Sequence, residues 1–240
     1  MTSKDHAIML TLRARRLLCT VALLVASTPP LMAAEGSVRP PAPSLVPATS
    51  AESVPDADGF IRRWFILDPI RCNTSLADDA VKEAVRKEYF PNQLGVIPHD
   101  GDKVTVDGEE LVWNAVESKQ YNVNLYHFAY ARSRPTSFVL FWGVTIVNCP
   151  EETRGVRLAT GSNAASIWWV NGQQVIGIYG DRQTVIDDGV SKRLTLRKGL
   201  NVVRCAVLNG GGATDFCARF LDVTGEPFKG FVIRGGVAAR

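Results

Sequence analysis

Two runs of the chain set aromatic rings beside amides and charged groups. Between Tyr121 and Tyr130, an extended reading puts Asn122, Asn124, Tyr126 and Tyr130 on one side, and Val123, Leu125, His127 and Ala129 on the other. In Tyr179-Gly180-Asp181-Arg182-Gln183 an aromatic precedes a carboxylate, a guanidinium and an amide. A ring face against the apolar side of a pyranose, with amides and carboxylates reaching its hydroxyls, is the chemistry of sugar binding. Asn124, Tyr126, Tyr179, Asp181 and Arg182 are therefore candidate contacts. Trp168 and Trp169 point to opposite sides of one strand, so one is expected in the core and the other, Trp169, nearer the surface as a further contact.

Hydrolytic chemistry finds less support. An ester hydrolase needs a nucleophile activated by a base, and past the leader described below only His99 and His127 remain. No G-x-S-x-G elbow occurs. His127 falls on the face of Val123, Leu125 and Ala129, which predicts a core histidine, and His99 lies in the turn Pro98-His99-Asp100-Gly101. Glycoside hydrolysis would need two carboxylates aimed at one bond. Glu109-Glu110, Glu151-Glu152 and Asp187-Asp188 each sit beside a turn, where solvated acids are expected. With no CxxC and no Cys/His cluster, a zinc site is not expected.

The elements that must position these groups begin after a leader. Lys4, Arg13, Arg15 and Arg16 precede an apolar run, Leu17 to Ala26, and Ala33-Ala34 offers a cleavage site, so residues 1–34 read as a secretory signal peptide. The run is shorter than the roughly 20 residues of a membrane span, and the expected location is secreted or periplasmic. The four basic residues and Asp5 account for the whole formal net charge of +3, leaving the remainder neutral. Neutrality argues against a nucleic-acid or anionic-lipid partner.

Residues 35–57, with Pro40, Pro41, Pro43, Pro47 and Pro55, read as a linker, and residues 58–233 as the folded domain with a frayed tail over 234–240. One amphipathic helix is expected over Ser75–Tyr89, capped by Thr74 or Ser75. The rest is short, β-branched or aromatic segments punctuated by turns, which predicts an all-β sandwich or barrel. Ser137–Val147 is apolar on both faces and should be a central strand, one face in the sandwich and the other under the helix. Asn171-Gly172 predicts a type I′ hairpin turn. Cys205 and Cys217 fall on strand faces that point apart, which argues against a disulfide between them; Cys72 and Cys149 remain open.

Gly161-Ser162-Asn163 through Trp168-Trp169-Val170-Asn171-Gly172, then Leu196-Arg197-Lys198-Gly199-Leu200-Asn201, Leu208-Asn209-Gly210-Gly211-Gly212 and Phe216-Cys217-Ala218-Arg219-Phe220, resemble the galactose-binding-like β-sandwich modules of secreted polysaccharide-degrading systems. Asp58–Leu67 looks like their first strand, and the resemblance spans roughly residues 58–233. The chain is similar in particular to sequences labelled acetylxylan esterase. The resemblance implies a jelly-roll type sandwich and places Asn163 and Asn209 on the binding rim. Family members carry an acidic pair where this chain has Asn163-Ala164. No cofactor is expected in consequence, with calcium at Asp187 and Asp188 the alternative. The reading that follows is an exported, non-catalytic module binding a neutral polysaccharide or oligosaccharide of plant origin, with a polysaccharide-degrading enzyme as a partner. A xylan-deacetylating esterase and a structural protein-interaction sandwich are the alternatives.

Overall fold

The computed structural model describes residues 44–235. The leader, linker residues 35–43 and the tail beyond 235 lie outside the described residues. In chain order, β1 (Leu45–Pro47), β2 (Glu52–Ser53), β3 (Arg63–Leu67) and β4 (Ile70–Arg71) precede helix α1 (Asp78–Arg86). Next come β5 (Lys103–Val106), β6 (Glu109–Ser118), β7 (Val123–Asn124) and helix α2 (Leu125–Ala131). The remainder is β8 (Val139–Cys149), β9 (Thr153–Ser162), β10 (Ala165–Val170), β11 (Gln173–Ile178) and β12 (Gly189–Val190), followed by β13 (Leu194–Leu196), β14 (Gly199–Asn209), β15 (Asp215–Leu221), β16 (Pro227–Phe228) and β17 (Val232–Arg234).

The strands form an all-β sandwich. One antiparallel sheet runs β1-β6-β3-β8-β14-β10-β11, with β2, β4, β5 and β17 attached at its margins; the other runs β12-β9-β15-β16, with β7 and β13 attached. Between them lies a core of Trp64, Phe141, Trp168, Phe216 and Phe220 among aliphatic side chains. Trp64, Trp168 and Phe216 meet edge to face at centroid distances of 4.9–6.0 Å, the arrangement favoured by the ring quadrupole. The outer face of the large sheet carries a second core, in which Leu140, Trp142, Val144 and Trp169 pack with Val81 and Val85 of α1 and with Phe90. The alternation within β8 therefore reads as expected: Val139 and Phe141 face the other sheet, and Leu140 and Trp142 face the helix. Gly143 is where the central strand has to be thin, because a Cβ there would come within 2.8 Å of the Cys205 sulfur.

The hairpin turn forms as predicted, with Asn171 at φ 51° and Gly172 at φ 83°. Several expectations are corrected. The segment read as a strand over 123–130 is extended only at Val123–Asn124 and then coils into α2. Leu125, Phe128 and Ala129 are the buried residues, an i, i+3, i+4 spacing, and the Asn124 side chain accepts a hydrogen bond from the His127 N–H as an N-cap. His127 is consequently exposed rather than in the core. Helix α1 is shorter than expected and begins after Ala77 with no side-chain cap, so neither Thr74 nor Ser75 caps it.

Residues 44–57 are not a free linker. β1 pairs with β6, β2 pairs with β17, Ala48 is buried, and Arg63 donates to the Ser50 carbonyl and hydroxyl. Proline at such sheet margins removes no ladder bond that the fold needs. Arg234, expected in the frayed tail, ends β17 and pairs with Glu52 at 3.1 Å. Cys72, Cys149, Cys205 and Cys217 are all free thiols.

Candidate functional site

Three loops converge at one end of the sandwich. The first is the turn from β9 to β10, where Ala164 sits at φ 70°. The second is the stretch from Tyr179 to Asp188 after β11, and the third is Gly210–Thr214 between β14 and β15. Backbone bonds knit them: Asn163 N–H donates to the Asp215 carbonyl at 2.9 Å, and Ala164 N–H to the Arg182 carbonyl at 3.1 Å. The Asp215 carboxylate accepts hydrogen bonds from the Asn122 amide and the Thr184 hydroxyl, tying the second loop and the entry to β7 to the start of β15.

A cavity of about 270 Å³ opens between these loops, lined by Asn163, Asp181, Arg182, Gln183, Gly211 and Ala213. Arg182 pairs with Asp188 at 2.5 Å, and its Nε is buried with no partner. One carboxylate, one guanidinium and two amides around an open space can accept from and donate to a set of neighbouring hydroxyls. The lining contains no aromatic ring.

The predicted contacts divide. Asn163, Asp181 and Arg182 line the cavity. Asn209 is 2% exposed and acts behind it. Its amide donates to the Thr136 carbonyl at 2.6 Å and its oxygen accepts from Gly211 N–H at 3.0 Å, which holds the glycine loop in place. Asn124 is occupied as the cap of α2. Tyr126 stacks on Tyr130 at 6.2 Å with ring planes 7° apart, and its N–H donates to the Thr214 carbonyl, one residue from Ala213 of the lining. Tyr179 leans on α1 instead, with the Lys82 ammonium 5.3 Å from its ring centre. Burial raises the pKa of its phenol. Trp169, expected nearer the surface, is only 8% exposed because α1 covers it, and it stacks on Trp142 at 5.8 Å. Asp215 and Thr184, which organise the rim, carry no sequence signal beyond their place at a strand start and in a loop.

Among the described residues the candidate hydrolytic groups are not brought together as a triad or a facing carboxylate pair. His127 Nδ1 lies 3.2 Å from the Ser44 hydroxyl, and among the described residues no carboxylate bonds the ring. His99 lies 3.4 Å from Asp102 at an exposed turn. Each acidic pair faces cations: Glu109 meets Arg134, Glu110 meets Lys103, Glu151 meets Lys198 and Glu152 meets Arg154. Asp187 receives Nε and Nη2 of Arg219, and Asp188 receives Arg182. Among the described residues no three His, Cys, Asp or Glu side chains are grouped to hold a metal ion.

No family model and no curated protein matches the chain. Among solved structures it is similar to the PA14 domain of the MpAFP antifreeze protein, at 11% identity and a TM-score of 0.43 over 78% of this chain and 97% of that one. A PA14 sugar-binding domain from an RTX adhesin aligns at 12% identity and a TM-score of 0.40, over 73% of this chain and 100% of that one. A β-glucosidase from Kluyveromyces marxianus in complex with glucose aligns at 18% identity and a TM-score of 0.35, over 49% of this chain and 14% of that one. Likenesses this loose carry no argument about what the chain binds.

Proposed function

We propose that the chain is a carbohydrate-recognition module that holds a neutral sugar in the pocket between the three loops. The observation that carries the reading is the meeting of Asn163, Asp181, Arg182 and Gln183, drawn from two loops, in one open cavity of about 270 Å³. Neighbouring hydroxyls of a sugar present donors and acceptors in close sequence, and a carboxylate beside a guanidinium and two amides answers both. The stacked Tyr126 and Tyr130, joined to the rim through Thr214, offer an aromatic surface for a second sugar unit of a longer chain. The module is exported, binds plant polysaccharide without acting on it chemically, works beside a polysaccharide-degrading enzyme and needs no cofactor. A calcium ion at Asp187 and Asp188 would have to displace Arg219 and Arg182.

The Ser44–His127 pair favours a xylan-deacetylating esterase, but among the described residues no acid bonds the imidazole to orient it. Incubation of the purified protein with insoluble acetylated xylan tests both readings, by retention on the polymer and by acetate released. The expected result is retention that resists chelator, is weakened about tenfold or more by Asp181→Ala, and occurs without acetate. Acetate release that disappears in Ser44→Ala would overturn the module reading, as would retention indifferent to Asp181→Ala.

A further inference from the structure

We propose that a second cavity, beneath α1, is a separate ligand site for a six-membered ring carrying a carboxylate. Its floor is Ile167 and Trp169 of β10, and Val85 and the half-exposed Leu94 form its walls. Trp142 backs the Trp169 indole at a 29° interplanar angle, so the floor is a fixed aromatic surface. Gln174, paired with Trp169 in the sheet register, brings an amide to the edge. The cavity measures about 140 Å³. At roughly 30 Å³ of liquid per water molecule that is the space of about five waters, well under the roughly 300 Å³ at which drug-sized sites begin. It suits one ring rather than a chain.

Charge selects the ring's substituent. Lys82 and Arg86, one turn apart on α1, both line the cavity. Lys82 is engaged by Asp78 at 2.5 Å, whereas Arg86 has no ion-pair partner among the described residues. Across the sheet, Arg204 is in register with Trp169 on the same face, and it is 3% exposed. Its Nη2 donates to the Val96 carbonyl, two residues from Leu94, while Nη1 is buried without a partner. No carboxylate pairs with Arg204 among the described residues, and burial lowers its pKa to about 10. Arg204, buried beside Trp169 without a countercharge, has its field strengthened by the low dielectric, and the exposed Arg86 at the cavity's edge offers a guanidinium to an anion drawn there. A neutral sugar would leave that field unanswered. A carboxylate on a ring pairs with Arg86 while the ring lies on Trp169.

Two sources share this chemistry, uronic acids and aromatic acids. Calorimetric titration of the whole protein and of its Asp181→Ala variant, whose loop pocket is disabled, with glucuronate and with 4-hydroxybenzoate distinguishes them, with glucose as the uncharged control in the variant. The expected result is that one of the two acids binds and glucose does not bind the variant. Arg86→Gln, at an exposed helix position where folding is not at stake, weakens the bound acid about tenfold or more. Asp181→Ala leaves it unchanged, so failure here is separable from failure at the loop pocket. Binding of glucuronate supports a charged sugar substituent as the ligand, and binding of 4-hydroxybenzoate an aromatic acid. No binding of either acid, glucose binding to the Asp181→Ala variant as well as glucuronate does, or an affinity unaffected by Arg86→Gln would each overturn the proposal.

Discussion

Asp215 is where the stability of the fold and the shape of the loop pocket meet, and its replacement separates the two amide-bonding roles of its neighbours. Its carboxylate receives the Asn122 amide and the Thr184 hydroxyl, while its backbone carbonyl receives Asn163 N–H. Asp215→Ala removes both side-chain acceptors and leaves the backbone bond. Hydrogen bonds to charged groups are each worth about 1.5–3 kcal/mol. Asp215 is partly exposed, so the low end applies, and the two together give a loss of about 3 kcal/mol. In a domain of this size each kcal/mol moves Tm by about 2–4 °C, which makes the expected drop about 6–12 °C. Asp215→Asn should cost only about 1 kcal/mol. The Asn122 Oδ1 is buried without a partner, so a flip of that amide lets it accept from the introduced amide, whose own oxygen still receives Thr184. Urea unfolding followed by tryptophan fluorescence measures both variants, and retention on polymer measures the pocket. The reasoning fails if Asp215→Ala lies within about 0.5 kcal/mol of the parent, or if the alanine and asparagine variants are equally destabilised.

Two further outcomes are expected. Burial pushes the Cys217 thiol from its ordinary 9.0 up to about 12, and raises Cys205 as well. The native state keeps protons that the unfolded chain gives up above pH 9, so this stability is fully present below pH 9 and is lost as pH rises toward 12. Unfolding free energy under reducing conditions should fall by about 1.4 kcal/mol per pH unit for each such thiol, and Cys217→Ala should remove one thiol's share of that slope; an unchanged slope would mean that Cys217 is not held protonated. Gly161→Ala drives a Cβ into the Val185 backbone carbonyl. The strain should cost about 1–3 kcal/mol by thermal melt and, because Val185 belongs to the loop that carries Asp181 and Arg182, it should weaken polymer retention although it alters no lining residue; retention at parental strength would show the loop to be positioned independently of β9.

Where burial decides a residue's place, the chain was readable in advance. β8 has large apolar side chains on both faces because each face meets a core, and Asn171-Gly172 turns where two positive φ values are required. The segment after Tyr121 misled because it fits two periods at once. Val123, Leu125 and Ala129 alternate, while Leu125, Phe128 and Ala129 share a helical face. What decides between them is not in the apolar pattern: Asn124 caps the helix, and the carbonyl of Thr214, far along the chain, receives the N–H groups of Leu125 and Tyr126. The loop pocket is opaque for a related reason. Polar loop residues have no period, so Asn163 and Asp181 look like any other turn residues until backbone bonds from Asn163 to Asp215 and from Ala164 to Arg182 bring them together. Trp169 shows the converse: alternation correctly turned it away from Trp168, but only the packing of α1 over that face made the outward side a second interior, and thereby the floor of a cavity.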